Sequence, residues 1–261
     1  MTRSIARSRH RRFSGPPMIA LAHGSRDPRS AATIEELVGV IRARQPGLDV
    51  RTAFLDLSAP RLFDVLSAVH AEGHREAIVV PLLLGSAYHA RVDIPGALSR
   101  AATRFPRLSL RVAEVLGPDH RLADAVTRRL VAAGIDIADP TVGIVLAGAG
   151  SSHKPANDAV SAVARGLTRH TNWAGAVAAF AAAADPDVPA AIAALRARGA
   201  RTIGIGSWFL APGRLPDRVI AQATACDPEV RIAQPLGTDI AEIVIDRYAE
   251  TRHAQQESRY A

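Results

Sequence analysis

Three stretches of the sequence carry side chains suited to gripping a divalent ion. "MIALAHGSRDP" runs from apolar Met18 straight into His23, "TAFLDLSAP" ends an apolar run at Asp56, and "LLLGSAYHARVDIP" brings out His89 between Leu82 and Pro95. Two neutral imidazoles and a carboxylate with open positions suit Fe(II), Co(II) or Ni(II). Imidazole also accepts protons near neutral pH. Such a site can hold a metal ion and take up protons together. Each histidine alone has a plainer reading, as a helix cap or loop decoration. Matched placement after separate apolar runs favours chemistry.

The surrounding residues fit a site for an anion. The small residues of "HGSRDP" and "LGSAYH", Ser86 among them, let the backbone turn sharply and present N–H groups. Arg26 and Arg91 are candidates for bidentate contacts to carboxylates, against the commoner role of solvated charge. Tyr88, Trp208 and Phe209 can pack on a flat ring, against the plainer role of core packing. His70 and His74 in "HAEGH" lack the H-E-x-x-H order of a zinc helix and read as a solvated helix end closed by Gly73. His10, His120, His153, His170 and His253 have no companion ligands in the sequence.

These residues need a scaffold that brings distant loops together. Short β-branched or leucine-rich runs alternate with longer segments of helical period, which predicts βα units and a parallel sheet. Strands are expected at 18–22, 49–56, 76–84, 109–115, 142–147, 174–180, 201–208 and 229–234. Pro28, Pro60, Pro95, Pro155, Pro189 and Pro216 fall near the starts of predicted helices. The pattern runs twice, four units at a time: "MIALAHGSRDP" answers to "VGIVLAGAGSSHKP", and "RVAEVLGPDHRLADAV" to "RIAQPLGTDIAEIV". The fold class is therefore α/β, with two similar lobes, each a parallel sheet flanked by helices, and a cleft between them. The expected division is a basic disordered tail over 1–17, an N-terminal lobe carrying the metal site over 18–136, a degenerate C-terminal lobe over 137–250 and a tail over 251–261. His23, Asp56 and His89 would leave their strands at one edge of the first lobe, where open parallel sheets bind ligands.

Bulk composition narrows the partners. The single cysteine, Cys226, excludes an internal disulfide and a thiolate cluster, which suits a reducing cytosol and predicts a cytoplasmic protein. No apolar stretch approaches the ~20 residues of a membrane span. The Arg11–Arg12 pair resembles part of an export signal, but His23, Arg26 and Asp27 interrupt the apolar run behind it, and Met18 is a candidate start. The net charge of +7 favours an anionic partner. No nucleic-acid-binding motif accompanies it, which leaves a polycarboxylate small molecule.

With "LAHGSRDP", "FLDLSAP" and "LLLGSAYHARVDIP" in this order, the sequence resembles the sirohydrochlorin chelatases, class II chelatases related in fold to ferrochelatase. Asp56 follows His23 by 33 residues, and His89 follows Asp56 by 33. The second half resembles the degenerate lobe of the long, two-lobed members. The resemblance implies insertion of Fe2+ or Co2+, or Ni2+, into sirohydrochlorin with release of two protons. It implies no ATP and no permanently bound cofactor. It also implies that His23 and His89 bind the incoming metal and assist removal of the pyrrole protons. Asp56 stands where the family commonly has glutamate, and its carboxylate reaches less far by one methylene. Arg26, Ser86, Tyr88 and Arg91 are the expected substrate contacts. A monomer or a homodimer is expected. The rival reading is a non-catalytic carrier of metal or tetrapyrrole. A histidine phosphatase is disfavoured because Ala22 stands where its R-H-G signature needs arginine.

Overall fold

The computed structural model describes residue 13, residues 15–85 and residues 93–260, the last six through their backbone alone. Sixteen named elements alternate along the chain. In the first half they are β1 (Met18–Ala22), α1 (Pro28–Arg44), β2 (Val50–Phe54), α2 (Leu62–Ala71), β3 (Glu76–Pro81), α3 (Ile94–Arg104), β4 (Ser109–Val112) and α4 (His120–Ala132). In the second half they are β5 (Val142–Gly148), α5 (Lys154–Gly166), β6 (Gly175–Phe180), α6 (Val188–Ala197), β7 (Thr202–Ser207), α7 (Arg214–Cys226), β8 (Arg231–Ile232) and α8 (Ala241–Tyr260). The strands form two parallel four-stranded sheets, ordered β2-β1-β3-β4 and β6-β5-β7-β8. No described helix is long and apolar enough to cross a membrane.

The eight expected strands all form, but the edge strands are shorter than expected. β4 pairs only with β3, from Glu76–Ser109 to Val79–Val112, and β8 pairs with β7 at two positions. A strand held on one side has half the hydrogen bonds to keep it extended. The central strands are apolar on both faces, as in β5, where all seven residues are buried. Helix starts follow local chemistry. Asp27 caps α1 by accepting from the Arg29 N–H, Pro28 opens the helix, and Ile34, Leu37, Val38 and Ile41 form its buried stripe.

Alternate residues of each strand feed separate cores. Ile19, Leu21 and Val79 pack outward on Leu62, Leu66 and Ile94 of α2 and α3. Val145, Ile203 and Ile205 do the same with Ile192, Leu195 and Val219 of α6 and α7. The opposite faces, including Met18, Ile78, Ile144 and Leu146, belong to one continuous core between the sheets.

That central core contains an exchange of helices. α4 follows β4 in sequence yet covers the second sheet: a Cβ on Gly206 of β7 would lie 2.9 Å from Val126 Cγ1. α8 follows β8 yet covers the first sheet. Tyr248 donates its hydroxyl to the Pro16 carbonyl at 2.7 Å, Arg247 donates to the Val115 carbonyl at 3.1 Å, and Arg111 of β4 donates to the Thr251 carbonyl. The C-terminal stretch expected as a tail is therefore helical, because it closes the inner face of the first sheet. Ion pairs tie the exchanged helices together, with Arg121 of α4 2.5 Å from Asp246 and Arg247 of α8 3.2 Å from Asp119.

Candidate active site

The loops that leave the central strands meet between the lobes around a cavity of about 830 Å3. His23, Gly24, Ser25 and Arg26 follow β1, and Leu82 to Gly85 follow β3. Ala149 to Ser151 follow β5, and Trp208 to Leu210 follow β7. The cleft therefore lies beyond the carboxyl ends of both sheets, where such folds bind ligands.

The loop carrying His23 is held by backbone hydrogen bonds. Its carbonyl accepts from the Asp56 N–H at 2.9 Å, and the Ala22 carbonyl accepts from the Leu55 N–H at 3.0 Å. Gly24 has φ +96°, and a Cβ there would fall 1.7 Å from the Asp56 carbonyl oxygen, so only glycine fits. The next residue is fixed from the same side. Ser25 N–H donates to Ser58 Oγ at 3.0 Å, and Ser58 Oγ donates back to the Ser25 carbonyl at 2.9 Å.

The second lobe repeats this geometry without its chemistry. Gly150 has φ +83°, and a Cβ there would fall 1.8 Å from the Ala182 carbonyl oxygen. The Ala182 N–H donates to the Ala149 carbonyl at 3.0 Å. Ala149 thus occupies the position of His23, and Ala182 that of Asp56. The loss of the histidine read from "AGAGSS" is a loss at an equivalent backbone position.

Asp56 lies behind His23 and is largely exposed. Its Oδ1 accepts from the Leu57 N–H at 2.8 Å and from Arg61 at 2.7 Å. The Leu57 N–H first, then the Arg61 guanidinium, and more weakly His23, hold its carboxyl below the usual carboxylate range. It is ionised at neutral pH and is not among the cavity's lining residues. His89, with Ser86, Tyr88 and Arg91, lies outside the described residues.

Three further residues line the cavity from the second lobe, and of these only Trp208 was offered by the sequence, as a residue able to pack on a flat ring. His153 sits at the N-cap of α5, where imidazole makes no side-chain cap bond, and it borders the cavity. Trp208, 8% exposed, packs in the central core and also lines the cavity. Arg214, the first residue of α7, lines it from the second lobe. The connection from β7 to α7 is shorter than that from β3 to α3, which hides Arg214 from motif comparison. No Asp or Glu lines the cavity among the described residues. Its wall is apolar, with Arg26, Arg214, His23 and His153 as its titratable groups.

A second cluster lies at the opposite end of the first sheet. His74 Nε2 is 3.8 Å from Glu72 and 4.0 Å from Asp49, and one donor atom from each of the three lies within 4.8 Å of the others. Arg51 already holds both carboxylates, with its Nη2 2.6 Å from Asp49 and its Nη1 2.9 Å from Glu72. A guanidinium fills the place of an ion there.

The CbiX family model matches residues 17–133 and again 143–251, so the repeat is a repeat of one family unit. A sirohydrochlorin ferrochelatase of Bacillus subtilis is 26% identical over 84% of this chain and 85% of its own length. A sirohydrochlorin cobaltochelatase of Priestia megaterium is 23% identical over 77% of this chain, which spans 66% of that relative's length. The structure described as SirB from Bacillus subtilis with Fe3+ superposes with a TM-score of 0.79 at 24% identity, covering 93% of this chain and 97% of that one. That likeness carries the two-lobed fold.

Proposed function

Because the chain belongs to the CbiX family, we propose that it is a sirohydrochlorin chelatase, inserting Fe2+ or Co2+ into the ring without ATP. The observation that carries this reading is His23 on the wall of an interlobe cavity that has cationic and apolar lining and no acid among the described residues. A flat ring bearing many carboxylates suits that wall, and a metal dication needs ligands brought to it from one edge.

In this reading the macrocycle enters the cleft with its face toward His23. Its carboxylates meet Arg26, and the family resemblance assigns Arg91, Ser86 and Tyr88 to the same substrate. His23 and His89 hold the incoming metal as substrate, and Asp56 assists from behind as an ionised carboxylate. Two bonds from metal to ring nitrogen replace two N–H bonds, and the protons leave through the imidazoles, which are basic enough at neutral pH to accept them. Charge balances: the dication enters and two protons depart. The division of labour assigns the metal to the lobe over 18–136 and the facing wall to the lobe over 137–250. Both walls come from one chain, so a monomer suffices.

The test is metallation of sirohydrochlorin by the purified protein, followed by absorbance with Fe2+, Co2+ and Ni2+ in parallel. Acceleration over the spontaneous rate is expected. Tight binding of the ring with no acceleration would select the carrier reading instead.

A further inference from the structure

Four arginines that join the two lobes are each paired with an acid. Arg29 lies 2.5 Å from Asp217, Arg44 2.5 Å from Glu242, Arg121 2.5 Å from Asp246 and Arg129 2.7 Å from Asp239. Arg26 and Arg214, both exposed, line the cavity from opposite lobes, and neither side chain makes an ion pair or hydrogen bond among the described residues. No carboxylate among the described residues lines the cavity, so neither has an acid partner there.

Arg214 occupies a costly position. It is the first residue of α7, where the positive end of the helix dipole repels a cation. Its N-cap, Gly213, supplies no side chain to the free N–H groups, whereas Asp27, Asp119 and Asp187 cap α1, α4 and α6. The one acid in the first turn, Asp217, is held by Arg29. Guanidinium and open N–H groups thus stand together on a cavity wall with no acid among the described residues, a combination that suits an incoming carboxylate.

We propose that Arg214 binds a carboxylate of the ring, so that the second lobe shares recognition of the substrate's acid groups with Arg26 across the cleft. This rests on the reading of the cavity as a tetrapyrrole site. It gives the lobe that lacks His23 and Asp56 a task of its own: specificity for a polycarboxylated ring.

The test uses the full chain without metal and uroporphyrin, a ring with eight carboxylates, as a fluorescent probe. Arg214→Gln is expected to weaken binding ~3-fold, the scale of a guanidinium–carboxylate contact made by an exposed arginine. Arg214→Lys restores part of the loss, and the loss shrinks as salt is raised. Co2+ binding measured without the ring stays at the wild-type value, as does the melting temperature. Arg231→Gln, on exposed β8 away from the cavity, serves as the charge-matched control and leaves affinity unchanged. Wild-type and Arg214→Gln proteins that bind the ring equally would overturn this inference alone. A wild-type protein that does not bind the ring would overturn both this inference and the chelatase reading.

Discussion

The His23 carbonyl accepts the Asp56 N–H at 2.9 Å, and Gly24 lies against the Asp56 carbonyl with no room for a side chain. The loops after β1 and β2 are therefore one rigid piece. The imidazole of His23 is positioned by contacts that a substitution at its glycine neighbour would break.

Gly24→Ala places a methyl group 1.7 Å from a backbone oxygen at φ +96°. The expected destabilisation is about 3 kcal/mol, from left-handed strain and the displacement of the β2 loop together. In a chain of this size that lowers the melting temperature by roughly 5–10 °C. Gly150→Ala meets the equivalent contact at 1.8 Å in the second lobe, so the stability loss is similar. Calorimetry and metal titration separate the two: Gly24→Ala loses metal affinity, and Gly150→Ala keeps it. Equal loss in both would show that the His23 loop has no special part.

The halves of the chain are expected to fold only together. Residues 1–136 alone carry α4, whose Leu122, Val126 and Leu130 are buried against the second sheet. Exposing those three side chains costs about 5–8 kcal/mol, comparable to the whole stability of a domain. The same fragment lacks α8, which covers its own sheet. Expressed alone it should show no cooperative melt, and mixed with residues 137–261 it should regain one. A folded monomer of 1–136 would contradict the helix exchange.

Asp119 joins the exchanged helices. Arg121 first, with Arg247 behind it, and the Arg121 N–H hold its carboxyl at about 2, against an ordinary value of 3.8. A depressed carboxyl favours the folded state above the unfolded value and loses that contribution as pH falls toward the folded one. Asp119→Asn keeps a capping side chain and removes the charge, so its cost is about 2 kcal/mol at pH 7. Urea unfolding at pH 7 and pH 2.5 should show the gap between wild type and variant shrink below half. A gap that stays constant would remove charge from the explanation.

Strand positions were legible because parallel strands covered on both faces read as continuous apolar runs, as in "VGIVLAG". The site loop was legible for the opposite reason: His23 and Arg26 follow such a run with no spacer. The helix exchange was not, since the apolar stripes of α4 and α8 state that a face is buried without stating which sheet buries it. Arg214 and His153 were missed because they reach the cleft from the other lobe, by a proximity no motif encodes. The Asp49, Glu72 and His74 grouping was read only as a helix end at His70 and His74, because Asp49 comes from before β2 and the other two from the connection after α2, and Arg51 completes them.

The account stands most directly on metallation of sirohydrochlorin with Fe2+ or Co2+, comparing wild type with His23→Ala and His89→Ala. Metal insertion that depends on both imidazoles predicts acceleration by the wild type and a loss of at least ~100-fold in each variant, with the ring still bound. Variants that metallate as fast as the wild type, or a wild type no faster than the spontaneous reaction, would contradict it.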